Sequence, residues 1–123
     1  MIKVYVAGPY SADNVADVLS NIGRGEHMAA LLFELGYAPF CPWHDKDFRI
    51  KRPDAKFRLN QYYEFSMEWL KVSDCVLVLP NWEESKGTKM EITEARLLDI
   101  PVFYSLGELE DWRDTCENKQ KMN

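Results

Sequence analysis

A chain of 123 residues, 46% hydrophobic and 28% charged, is long enough to bury one core without staples, and its composition is that of an ordinary globular domain. A net charge of −5 and a pI near 5.0 speak against a nucleic-acid-binding surface, though not against a small anion held in a locally positive pocket. Cys41, Cys75 and Cys116 form no metal-binding spacing, so neither metal nor cofactor is expected; a reducing cytoplasmic setting is the simplest reading, and no stretch reads as a membrane helix or signal peptide.

Ile2 to Ala7, IKVYVA, reads as a first, central strand stopped by Gly8-Pro9. Tyr5 and Gly8 fall toward its carboxyl end, with Tyr10 and Ser11 on the following loop and Ser11 or Asp13 as helix cap. A long helix follows, with Val15, Leu19, Ile22, Ala29 and Leu32 on one face, and it ends at Leu35-Gly36. YAPF (Tyr37 to Phe40) is a short strand whose proline argues for a sheet edge.

The segment CPWHDKDFRIKRPDAKF is then expected to be a long loop, aromatic, charged and broken by proline. Two readings stand side by side. One is a surface loop with solvated charges. The other is a flap over an anionic, aromatic substrate, with Trp43, His44 or Phe48 stacking on a base and Asp45 nearby. A second helix spans Arg58 to Val72, with Leu59, Tyr62, Ser66 and Trp69/Leu70 on its inner stripe. Its remaining aromatics exceed what one sheet face buries, which suggests either a homodimer interface or a thick core.

The stretch Asp74 to Ala95, DCVLVLPNWEESKGTKMEITEA, organises the rest. CVLVL is the unbroken apolar run of a parallel strand covered on both faces. The polar loop NWEESKGT follows, and a helix is expected from near Thr88 to Leu98, with Ile92, Ala95 and Leu98 inward. Glu91 would lie in its first turn, held ionised by backbone N–H groups and the helix dipole. That preference alone also explains a glutamate there. The N–H groups around Ser85, Gly87 and Thr88 could receive an anion. IPVFY (Ile100 to Tyr104) is the last strand, and a short helix anchored by Leu109 and Trp112 closes the fold.

The alternation predicts one α/β domain over residues 1–116 with a polar tail at 117–123: an open, flavodoxin/Rossmann-like parallel sheet of four strands, or five, in the order 2-1-3-4, with helices on both faces. That order puts a switch point between the first and third strands, where Tyr5, Gly8, the Ser85–Thr88 loop and Glu91 would converge.

With KVYVAGPYS, EWLKVSDCVLVLP and ESKGTKMEITEA in this order, the chain resembles the nucleoside 2-deoxyribosyltransferase-like superfamily, and within it the nucleoside 5'-monophosphate N-glycosidases. The resemblance implies attack on the anomeric carbon of a nucleotide. It implies a catalytic Glu91 held by Tyr5, a phosphate contact from Ser85 at a spacing of six from Glu91, and Gly8 to Ser11 lining the sugar and phosphate. It also implies a dimer. One departure matters: the family's usual aspartate, eight residues before Asp74, is Ser66 here, and serine is no general acid near neutrality. Asp45, Asp47, Glu64 or His44 could protonate the base, protonation could be unnecessary, or the site could bind without turnover. The arginine that holds phosphate in some relatives is also absent, leaving Lys86, Lys89 or a flap residue to replace it. Two rival functions follow: a non-catalytic nucleotide-binding protein, and a deoxyribosyltransferase exchanging bases. Neither nucleic acid nor membrane is an expected partner.

Overall fold

In the computed structural model, which describes residues 1–122, the first strand, β1 (Lys3–Ala7), is buried from Val4 onward. Its side chains alternate between two faces. Val4 and Val6 pack with Ile22, Ala29 and Leu32 of helix α1 (Val15–Glu34) and with Leu109 of the last helix, α5 (Leu106–Met122). Tyr5 and Ala7 turn the other way, onto Met67 and Leu70 of α3 (Leu59–Lys71) and Ile92 and Ala95 of α4 (Lys86–Leu97).

The sheet has four parallel strands in the expected order, β2 (Ala38–Phe40), β1, β3 (Cys75–Val78) and β4 (Val102–Phe103). Tyr5 is in register with Phe40 on one side and Val76 on the other. From β1 the chain steps one way to β2, then crosses back to β3 and on to β4. Right-handed crossovers therefore put α1 on one face and α3 and α4 on the opposite face. The two helices that follow β1 and β3 leave on different faces, which opens a crevice at the carboxyl ends of those strands. Asp74 fixes the other end: its Oδ2 accepts from the Lys3 amide at 2.8 Å, and its own amide donates to the Lys3 carbonyl at 2.8 Å.

Several local expectations need correction. Asn14, not Ser11 or Asp13, caps α1, its Oδ1 accepting from the Asp17 amide at 2.9 Å. The buried stripe of α1 is Asn21, Ile22, Gly25, Ala29 and Leu32, while Val15 and Leu19 are exposed. A 20-residue helix is about 30 Å long against roughly 17 Å for the five-residue strand, so its first turns overhang the sheet. Likewise α3 meets the sheet through its second half: Ser66, Met67 and Leu70 are buried, Leu59 projects into solvent, and Trp69 is half-exposed, stacked on Phe40 at 5.6 Å. Leu98, expected inward, caps the end of α4 and is exposed.

The expected long loop after β2 is partly helical, with a 3-10 turn at Pro42–Asp45 and a short helix, α2 (Lys46–Lys51). Trp43 explains why. Its indole is buried and lies on Gly25 of α1, where an added Cβ would sit 2.3 Å from ring atoms. Its Nε1 donates to the Pro9 carbonyl at 3.1 Å, tying the turn to the loop after β1. At the other end of the chain, Leu109 and Trp112 anchor α5 as expected, Trp112 packing on Phe103 at 5.3 Å. The helix runs past Cys116 to Met122, through most of the expected tail; Asn123 lies outside the described residues. No helix among the described residues is long and apolar enough to cross a membrane.

Candidate functional site

Helix α4 begins two residues earlier than its sequence pattern indicates, because Ser85 caps it. Ser85 Oγ accepts from the Thr88 amide at 3.2 Å and from Thr88 Oγ1 at 2.8 Å. Both lone pairs of the Ser85 hydroxyl are thereby occupied, and its proton is left to donate. Thr88, expected to bind the phosphate, is buried and places both of its donors on Ser85, orienting that hydroxyl. Gly87 is exposed, with nothing within 4 Å of where a Cβ would lie. The start of α4 therefore presents a hydroxyl and backbone N–H groups to open space.

The earlier start places Glu91 in the second turn of α4, beyond the helix-terminal N–H groups that were expected to keep it ionised. Burial instead raises its carboxyl to about 7, with the Tyr5 hydroxyl pulling in the opposite direction. Glu91 keeps partial contact with solvent, and near neutrality it exchanges a proton readily. Tyr5 is buried on the same face of the sheet. Its hydroxyl makes no hydrogen bond within normal distance among the described residues, yet it lies close enough to Glu91 and Ser66 for both to act on its ionisation. Burial, then Glu91, push the phenol well above its usual range; Ser66 works the other way. Ser66 faces inward, as expected of it. A buried, unpartnered hydroxyl beside a carboxyl of neutral affinity for protons is a polar arrangement that the fold itself leaves incomplete.

A second carboxyl reaches this crevice. Asp45, at the end of the turn that Trp43 pins, is half-buried, and burial raises it to about 6 against the opposing influence of Tyr10 and Lys46. Asp45 acts in turn on Tyr10, which burial and Asp45 together push up to about 12, and more weakly on Tyr5. Three chain segments thus converge: β1 and its loop with Tyr5 and Tyr10, the turn after β2 with Asp45, and α4 with Glu91.

The other expected site residues divide. Trp43 is a core anchor and offers no face to a base. His44 is exposed and turned to α1, its Nε2 lying 3.3 Å from Glu26. Phe48 stands half-exposed, edge-on to Phe65 at 5.5 Å. Gly8 packs closely on Leu79: a Cβ there would lie 3.0 Å from Leu79 Cβ. Ser11 is exposed and Tyr10 half-buried on the loop leading to α1, with the Tyr10 carbonyl accepting from Asn21 Nδ2 at 3.2 Å. Sequence reasoning missed a recess of about 80 Å³ lined by Phe48, Phe57, Gln61, Tyr62 and Phe65. This recess includes Tyr62, which is close enough to act on Tyr10. Its only sequence signal was the density of aromatics in α2 and α3. A wider, open depression of about 340 Å³ around Arg96, Asp99 and Pro101 lies at the opposite end of the sheet and holds none of these groups.

Among solved structures, the chain is similar to the 2-deoxyribosyltransferase of the psychrotolerant bacterium Bacillus psychrosaccharolyticus, with a TM-score of 0.57 and 21% identity over 81% of this chain and 69% of that one. At this identity the likeness is one of fold. No protein of curated function matches the sequence. The family model described as a domain of unknown function, DUF4406, matches residues 2–104, and the chain belongs to that family.

Proposed function

We propose that this protein cleaves the N-glycosidic bond of a nucleoside 5'-monophosphate, with Glu91 as the nucleophile and water as the final acceptor. The observation that carries the reading is the Glu91 carboxyl beside the unpartnered hydroxyl of Tyr5 at the switch point of the sheet. Breaking a bond between base and sugar develops positive charge at the anomeric carbon. A carboxylate placed against that carbon captures the charge as a glycosyl ester, which water then opens. With a small approach the Tyr5 hydroxyl would donate to the carboxylate form and keep its attacking oxygen aimed.

The phosphate end has its own support. Ser85 and the free N–H groups of α4 stand six residues before Glu91, about 9 Å along the helix axis. A sugar phosphate laid along α4 would put phosphate at the helix start and C1' at Glu91. Exposed Lys86 and Lys89 supply positive charge there. Likeness in fold to a 2-deoxyribosyltransferase adds to this reading. Transfer to a second base remains a rival outcome, as does capture of a nucleotide without cleavage, which Ser66 at a buried position beside Tyr5 favours. We include a homodimer in the proposal, since α3 leaves Tyr63, Trp69 and Val72 partly uncovered.

The test is base release. The protein is incubated with ribo- and deoxyribonucleoside 5'-monophosphates and the parent nucleosides, and free base and sugar phosphate are followed by chromatography. Glu91→Ala is expected to lower turnover by about 10³-fold or more. A wild-type protein that binds nucleotide and returns it intact would establish the binding protein instead.

A further inference from the structure

Resting on the proposed glycosidic cleavage, we propose that Asp45 is the proton donor to the departing base and, in the second half of the reaction, the base that activates water. Cleavage of an N-glycosidic bond leaves an electron pair on a ring nitrogen, and a poor leaving group becomes a good one when that nitrogen is protonated. Ser66, buried beside Tyr5, cannot supply the proton near neutrality. Four other acids on this side of the molecule could, and the structure separates them. Asp47 is exposed and lies 3.9 Å from the Lys46 ammonium. Glu64 is exposed on α3. His44 is solvated and paired with Glu26. Asp45 alone is half-buried, forms no ion pair among the described residues, and acts on the same Tyr5 hydroxyl as Glu91 does.

The placement is built into the fold. Phe40 at the end of β2 is in register with Tyr5, and the 3-10 turn that follows brings Asp45 back over the loop after β1. The Trp43 bond to Pro9 and its packing on Gly25 hold that turn in place. Tyr62 of the aromatic recess and Asp45 both bear on Tyr10, which places the recess on the Asp45 side of the site. The groups facing Asp45 are Tyr10 and Tyr5 from β1 and its loop and Lys46 from its own segment, with Glu91 of α4 and Asp47 bearing on the same tyrosines.

The two steps balance. Glu91 carboxylate bonds to C1', the C1'–N bond breaks, its electron pair passes to the base, and the proton of Asp45 moves to a ring nitrogen. Water then attacks C1', gives a proton to Asp45, and the ester electrons return to Glu91. The net change is substrate plus water giving free base and sugar phosphate, with both carboxyls restored. The working form carries one proton between the two groups, on Asp45. Burial lifts Asp45 to about 6 and Glu91 to about 7, so between those values the two carboxyls together carry about one proton; the form with it on Glu91 is the more populated, and the working form, with it on Asp45, is the minor one.

Base release by wild type, Asp45→Asn and Glu91→Gln is measured from pH 5 to pH 9, on the best nucleotide and on N7-methylguanosine 5'-monophosphate, whose base is already cationic. The wild type is expected to give a bell-shaped profile. Asp45→Asn is expected to fall about 10²-fold or more on the ordinary nucleotide and to lose the alkaline limb. In the first turnover, before water must open the ester, it is expected to stay within about tenfold of wild type on the methylated one, a pattern that loss of fold does not produce. If the methylated nucleotide is not a substrate of the wild type, the pH profile decides. Asp45→Asn keeping both limbs, or falling equally on both nucleotides in the first turnover, would overturn the role of Asp45 as proton donor and leave cleavage by Glu91 standing. No release by wild type from any nucleotide would overturn both.

Discussion

Two buried tyrosines, Tyr5 and Tyr37, lie on opposite faces of the sheet, and neither hydroxyl has a hydrogen-bond partner among the described residues. Burial pushes both phenols up. Their surroundings differ in composition. Tyr37 lies under the Arg113 guanidinium, 4.5 Å from its ring centroid, and Arg113 is paired with Glu110 at 2.6 Å and donates to the Leu35 carbonyl at 2.8 Å. That arrangement is electrically closed and ties α5 to the end of α1. Around Tyr5 stand Glu91, Ser66 and Asp45, and no cation contributes. The first environment is a structural joint. The second gathers two carboxyls that burial has raised, Glu91 and Asp45, around an unpartnered hydroxyl. A site is recognised here by what its own fold leaves unbalanced, not by burial alone.

The contrast can be broken most directly by removing each hydroxyl. Tyr5→Phe is expected to lower base release about 10- to 100-fold, the usual scale for a group that orients a reacting carboxylate, with little change in melting temperature. Tyr37→Phe is expected to leave activity unchanged. Equal effects on activity would erase the distinction.

Gly25→Ala tests the link between the two faces. Its Cβ would meet the Trp43 ring at 2.3 Å, so the indole must shift and take the turn bearing Asp45 with it. A loss of about 1–3 kcal/mol in denaturant unfolding is expected, together with reduced activity. Gly23→Ala, two residues away in open space, is the control and should be neutral or slightly stabilising.

Ser85→Ala removes a helix cap and is expected to cost about 1 kcal/mol. Its effect on turnover should be larger for monophosphates than for nucleosides. Equal loss on both would leave Ser85 as a cap only.

A further effect is expected on pH dependence. Folding raises Glu91 from 4.5 to about 7 and Asp45 from 3.8 to about 6, so the folded chain holds these protons more tightly than the unfolded chain. The stability they contribute is complete in acid below both unfolded values and is lost as pH rises through about 6 to 7. Glu91→Gln should therefore show a smaller fall in melting temperature between pH 5 and pH 8 than wild type. An unchanged slope would mean that Glu91 is not buried as a proton-holding group.

The strand order was legible because Val and Leu runs, Gly8-Pro9, Pro39 and Pro80 mark strands and their limits without tertiary context. Tyr5, Glu91 and Ser66 were also legible, each from its position at a strand end or on a helix stripe. Helix faces were less so. Periodicity cannot tell that α1 outreaches the sheet and exposes Val15 and Leu19, or that α3 touches it only by its second half. The role of Trp43 was hidden for a related reason. An aromatic in a charged, proline-broken segment reads as part of a flap until the bare backbone of Gly25, eighteen residues earlier, is seen to receive its ring. The ionisation of Glu91 was misjudged because two residues of helix start separate a dipole-stabilised first turn from a buried second one. Asp45 could be named from sequence only as one acid among several; the convergence on Tyr5 singles it out.

The most direct test of the account is to catch the sugar on the enzyme. Fluorine at C2' of a nucleoside 5'-monophosphate destabilises the positive charge that develops when the glycosyl ester is opened; the ester accumulates when opening becomes slower than formation, and the protein is then digested and analysed by mass spectrometry. The account predicts one sugar phosphate bonded to the peptide containing Glu91, absent in Glu91→Gln. Base released with no adduct at Glu91, or an adduct on another side chain, would contradict it.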